Sequence, residues 1–157
     1  MYKVRRWSTR HARFFEGVYN TFEAILVFMR PLFRWIGYGR VERPVAAVEK
    51  VFKGFFFDSQ MCGSCALGST GMACPMNCPK SMRNGPCGGV RSDGNCEIKP
   101  EMPCVWSDAY AGSLLMKDGD QIREIQPAVD YRLKGSSAWL RVVRSRTPDA
   151  ERGDSAE

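Results

Sequence analysis

Histidine is almost missing from this 157-residue chain: His11 is the only one. That scarcity removes most nucleophile–base pairs and every histidine-rich metal motif. Long apolar runs are missing too. The most apolar stretch, Ala24–Met29, has six residues between Glu23 and Arg30, whereas a membrane span needs about 20. Arg5-Arg6-Trp7 is followed by no uninterrupted apolar core and no small-residue cleavage site, so it reads as a basic N-terminus rather than an export signal. The expected location is therefore the cytoplasm, where thiols stay reduced. No glycine-rich turn ends in the Lys-Ser/Thr of a phosphate loop. No helix-turn-helix, RNA-recognition sequence or Cys2His2 finger is present, and nucleic acid is not an expected partner. Cysteine itself is missing from the 61 residues before Cys62 and the 53 after Cys104.

Between those limits lie seven cysteines, Cys62, Cys65, Cys74, Cys78, Cys87, Cys96 and Cys104, spaced C-x2-C-x8-C-x3-C-x8-C-x8-C-x7-C. Gly63, Gly68, Gly71, Pro75, Pro79, Gly88-Gly89, Asp93-Gly94 and Pro103 make the segment turn-rich, and no apolar period runs through it. So dense a cluster points to zinc, an iron–sulfur centre or disulfides. An odd count in a reducing compartment argues against disulfides. Four cysteines satisfy one tetrahedral zinc or one [4Fe–4S] cluster. Seven exceed one such site and fall short of eight for two. Zinc ribbons use two C-x2-C knuckles, and here only Cys62 and Cys65 form one. Proline follows Cys74 and Cys78, as it follows a ligand cysteine in bacterial ferredoxins. Gly85, Gly88 and Gly89 let the backbone approach Cys87 sulfur closely. Spacing leans towards iron–sulfur and leaves Zn2+ open.

Charge and apolar periodicity divide the rest. Residues 1–57 carry eleven Lys/Arg against four Asp/Glu, whereas 58–105 balance and 106–157 carry eight against nine. Phe15, Val18, Phe22, Ile25, Leu26 and Met29, then Leu32, Phe33 and Ile36, recur at helical spacing. Pro31 should divide that helix and Gly37-Tyr38-Gly39 should end it. A second helix is expected from Pro44 to about Asp58, with Val45, Val48, Phe52 and Phe55 as its apolar face. A short helix is expected from Val105. The domains expected are a basic amphipathic helical region over 1–57, a cysteine-rich metal or iron–sulfur domain over 58–112, and a C-terminal extension over 113–157 with a disordered tail from about 147. The basic, apolar N-terminal third reads as a docking surface for a partner subunit, ahead of membrane-surface contact.

Several blocks of the cysteine segment occur together: Met61-Cys62-Gly63-Ser64-Cys65, Thr70-Gly71-Met72-Ala73-Cys74-Pro75, Cys78-Pro79-Lys80, Arg83-Asn84-Gly85-Pro86-Cys87-Gly88-Gly89-Val90, Gly94-Asn95-Cys96-Glu97 and Cys104-Val105-Trp106. In that order they resemble the C-terminal domain family of bacterial methylenetetrahydrofolate reductases, which also occurs as a separate small subunit beside a flavin-containing reductase. The resemblance covers about residues 50–112. It implies that all seven cysteines are candidate ligands of one or two [4Fe–4S] clusters, with zinc as the alternative. Related sequences can carry a further cysteine at the position of Ser59.

The resemblance implies an accessory subunit that passes electrons to or from a flavin-containing methylenetetrahydrofolate reductase in one-carbon metabolism, with a ferredoxin-like protein as the other redox partner. The alternative is a redox-inert zinc scaffold that stabilises or recruits that reductase. No catalytic residue is expected on this chain. The expected fold is a small metal-organised domain, mostly irregular and turn-rich, preceded by two or three amphipathic α-helices.

Overall fold

Three interruptions cut the N-terminal half into helices. The computed structural model describes residues 2–85 and 87–146. Helices α1 (Tyr2–Arg10) and α2 (Ala12–Phe28) flank His11, and α3 (Arg30–Ile36) follows a break at Met29. Pro31 sits in the first turn of α3, where its missing N–H would lack a partner anyway. Gly37, at φ +92°, separates α3 from α4 (Tyr38–Phe57), a conformation in which a side chain would be strained. Helix α4 ends at Asp58 in the left-handed region, φ 53°, with the Asp58 and Ser59 N–H groups donating to the Gly54 and Lys53 carbonyls.

Pro44 does not start α4 but lies inside it. The ring costs one backbone hydrogen bond. The turn before it is retained because Tyr38, Val41 and Val45 all pack against the apolar cluster of Leu26, Phe33, Trp139, Leu140 and Val143.

After α4 the chain runs irregularly to Cys104, with short 3-10 turns at Leu67–Ser69 and Pro75–Asn77. Helices α5 (Val105–Ser113) and α6 (Ala138–Ser145) follow. Helix α1 packs on α4 and α5, while α6 packs on α2 and α4. The irregular segment is thereby held between helices.

This architecture corrects the expected metal-organised, turn-rich fold. The described residues form six α-helices and no named strand, and among them no group of three His, Cys, Asp or Glu side chains is arranged to hold a metal ion. Apolar side chains order the irregular segment instead. Leu67, Met72 and Cys74 pack with Ala12, Phe15, Phe57 and Met116. Ala73, Cys96, Met102 and Cys104 pack with Val105, Trp106 and Ala109.

Buried polar links reinforce both clusters. Arg5, buried on α1, donates to the Pro103 carbonyl at 2.9 Å and to Asp108 at 3.3 Å. The Glu16 carboxylate accepts from the Lys117 and Asp118 N–H groups. The tail expected from about 147 lies outside the described residues. No helix among the described residues is long and apolar enough to cross a membrane.

Candidate functional site

Helix α4 turns a charged face inward. Glu49 and Lys53, one helical turn apart, are each 1% exposed, while Val48 and Phe55 of the expected apolar face stand 63% exposed. Lys53 Nζ donates to Glu49 Oε1 at 2.7 Å. The other Glu49 oxygen accepts from Ser137 Oγ at 2.6 Å and from the Trp139 N–H at 3.3 Å. The Lys53 ammonium also lies over the rings of Tyr19 and Trp139, at 5.4 and 5.1 Å.

Cys65 also acts on that ammonium and helps to hold it in its charged form. Cys62, Cys65 and Cys74 line one cavity, whose wall includes Lys53, Arg83 and Ser59. Its open space is about 20 Å3, the room of one water, so a larger group enters only if side chains move apart. Cys62 and Met61 on its wall are half-buried. Cys62 Sγ donates to the Ser64 carbonyl at 3.2 Å. The backbone of this knuckle is pinned from the far side, by Gly135 N–H to the Met61 carbonyl at 2.8 Å and by Arg141 Nε to the Gly63 carbonyl at 3.1 Å. Gly63, at φ +77°, lies so close to Leu133 and Ser136 that a Cβ there would collide with them.

The electrostatics of the cavity are divided: its lysine is held charged, while its buried thiol is pushed towards the neutral form. Burial pushes the Cys74 thiol up to about 11; N–H donors from Gln60 and Met76 oppose that rise, and neighbouring Cys65 and Cys62 add to it. Burial also raises the Tyr19 hydroxyl, with Cys65 adding to the effect. For Lys53, burial works against the charged form, yet Cys65 and Glu49 outweigh it and hold its pKa above the usual lysine value.

Arg83, 8% exposed, uses Nε on the Pro127 carbonyl and Nη2 on Ser64, but its buried Nη1 has no partner. Such an orphan donor is costly unless an acceptor meets it. Three thiols, the Glu49–Lys53 pair and one unsatisfied guanidinium nitrogen thus meet around this small cavity.

The remaining cysteines lie elsewhere. Cys78, Cys96 and Cys104 share the cluster around Trp106. Cys87 lines a separate cavity with Trp106 and Tyr110 and accepts from the Gly89 N–H at 3.4 Å; it also helps to hold Lys80, which is paired with Glu97, in its charged form. Sequence reasoning missed Glu49, Lys53, Tyr19, Arg83 and Trp139. Only the Glu49/Lys53 spacing was a visible signal, as an i,i+4 pair.

A family model described as methylene-tetrahydrofolate reductase C terminal matches residues 38–132. The chain belongs to that family. The match takes in α4, the whole cysteine segment and α5, so the methylene-tetrahydrofolate reductase C-terminal region includes both the thiols and the Glu49–Lys53 pair facing them. It extends well beyond residues 50–112 on both sides. No curated protein and no solved structure matches the chain.

Proposed function

We propose that this chain is the iron–sulfur accessory subunit of a flavin-containing methylenetetrahydrofolate reductase, passing electrons to or from the partner's flavin. The observation that carries the reading is the meeting of three thiols with two buried cationic side chains at one cavity. When bound, a [4Fe–4S] cluster supplies one-electron transfer at a potential set by its net charge and hydrogen bonds.

The chain's own residues bind and tune. Cys62, Cys65 and Cys74 would hold the cluster as thiolates. Lys53 and Arg83 would offset the negative charge so gathered, and Glu49, itself held by two hydrogen bonds from Ser137 and Trp139, fixes Lys53 through a third. The N–H groups of Gln60 and Met76 point charge-stabilising dipoles at Cys74 sulfur. Tyr19 and Trp139 cover Lys53 from outside and also line an apolar groove between α2 and α4 with Phe22, Val48 and Phe52. The folate and flavin chemistry belongs to the partner in this reading.

Anaerobic purification tests it. The protein should be brown, contain iron and acid-labile sulfide, and when reduced should bleach on mixing with the oxidised flavoprotein. A colourless protein holding stoichiometric zinc and no iron would overturn electron transfer in favour of a scaffold role.

A further inference from the structure

We propose that the outer face of α2 pairs with the same face of a second copy of this chain, the two helices running antiparallel about a two-fold axis at Thr21. Along that face Phe14, Val18, Thr21, Ile25 and Phe28 follow one another at alternating spacings of four and three residues, the period of a helix–helix seam. All five are exposed, the apolar four between 38% (Val18) and 84% (Phe28). The opposite face of the same helix belongs to the chain's own core, where Ala12, Phe15 and Leu26 are buried. A helix apolar on both faces is one that is covered on both. What covers the outer face is independent of what the thiols hold.

The order of the side chains selects the occupant. Read in either direction, the seam runs aromatic, β-branched aliphatic, threonine, β-branched aliphatic, aromatic. An antiparallel copy therefore sets Phe14 against Phe28, Val18 against Ile25 and Thr21 against Thr21, as a two-fold interface demands. No charged residue stands in the seam. The same register brings Arg13 level with Met29 and Arg30 level with Ala12, so the cationic excess of this region is not set face to face. Gly17 and Ala24 are exposed on the flank of the seam. No atom comes within 4 Å of where a Gly17 Cβ would stand, so two backbones can close at the crossing. Residues 147–157 hold no aromatic or branched aliphatic side chain and have nothing to fill such a seam.

Area points the same way. The 17 residues of α2 make a seam about 25 Å long. A stable pair covers about 800 Å2 on each copy, more than one helical seam supplies. The seam is widened across the groove that Val18 and Phe22 share with Val48 and Phe52, where α4 adds the exposed Val48 and Val51. Trp35 lies on α3, beyond the end of α2, and is left uncovered, so the pair can still meet a further partner.

Sedimentation of the full chain, purified without oxygen, should give a particle near twice the 17.7 kDa of one chain at micromolar concentration. Val18→Lys or Ile25→Glu alone sets a charge against an apolar side chain of the second copy and should weaken the pair roughly tenfold or more. Combined in one chain, the two substitutions meet across the axis as opposite charges, and pairing should return in a salt-sensitive form. The two sites lie about 10 Å apart along one helix, so that rescue is not made within a chain. A parallel pair would set like charges together and show no rescue. Thr21→Arg places two cations on the axis and should also give monomers. These positions are exposed, so every variant should keep the wild-type far-ultraviolet helical signal; should Val18→Lys fail to fold, Thr21→Arg decides. A monomeric wild type, a pair untouched by Thr21→Arg, or single variants without rescue in the double overturns the proposal. A monomer that binds the reductase subunit or vesicles of anionic lipid through Ile25 overturns it in favour of that partner.

Discussion

Lys53 and Glu49 are joined at 2.7 Å with neither side chain more than 2% exposed, on the face of α4 turned towards Cys65. Removing one partner strands the other in a dry site, typically at a cost of about 3–5 kcal/mol. Lys53→Met should therefore lower the urea midpoint far more than Lys50→Met on the exposed face of the same helix. Equal midpoints would show that Glu49 is fully satisfied by Ser137 and Trp139 alone.

Metal removal should leave the helices standing. Because Leu67, Met72, Met102 and Trp106 anchor the irregular segment to Phe15, Phe57 and Val105, chelator-treated, reduced protein should keep its far-ultraviolet helical signal. Only the Cys62 knuckle should gain protease sensitivity. Global loss of helix on chelation would count against this account.

Alkali should expose Cys74. Its thiol ionises near 9.0 when unfolded and about 11 when folded, so below 9 both states hold the proton and stability does not change with pH. Between 9 and 11 the unfolded chain loses the proton first, and roughly 3 kcal/mol is given up across that window. Denaturant midpoints of the reduced, metal-free protein at pH 8 and pH 11 should differ more than those of Cys74→Ala. Parallel losses would place the alkaline sensitivity in other groups.

Only part of the stripe that periodicity picked out is open to a partner: Ile25 and Phe55 are exposed, but other members are not. Phe15 is 4% exposed and Phe22 stacks on Trp139 at 4.5 Å, so both belong to this chain's core. Phe28 and Trp35 stand 84% and 85% exposed. Phe28→Asp with Trp35→Asp should change stability by about 0.5 kcal/mol or less each and abolish co-purification with the reductase subunit. Phe22→Asp should instead lower the melting temperature by several degrees. Retained co-purification would move the interface elsewhere.

What could be read in advance followed from local rules. Pro31, Gly37 and the stop near Asp58 act through backbone dihedrals, and the helix from Val105 through its own periodicity, so all are visible in a short window. The inward face of α4 was not visible, because its buried residues are a carboxylate and an ammonium whose partners lie on α6 and beside Cys65. The apolar anchors of the cysteine segment were hidden for a related reason. In irregular backbone each buried residue is placed by tertiary contact, and no period links Leu67 to Met72 or Met102. The grouping of Cys62 and Cys65 with Cys74 likewise depends on how α4 and the knuckle pack. Spacing along the chain does not encode it.

The grip of α6 on the knuckle, through Arg141 on the Gly63 carbonyl and Ser137 on Glu49, has a consequence in time. A ribosome makes the thiols first and α6 some 70 residues later, at about 5–20 residues per second. Until α6 arrives, nothing pins Gly63, and Glu49 lacks its hydroxyl partner. For several seconds of synthesis the thiols are therefore at their most open to solvent and to oxidants.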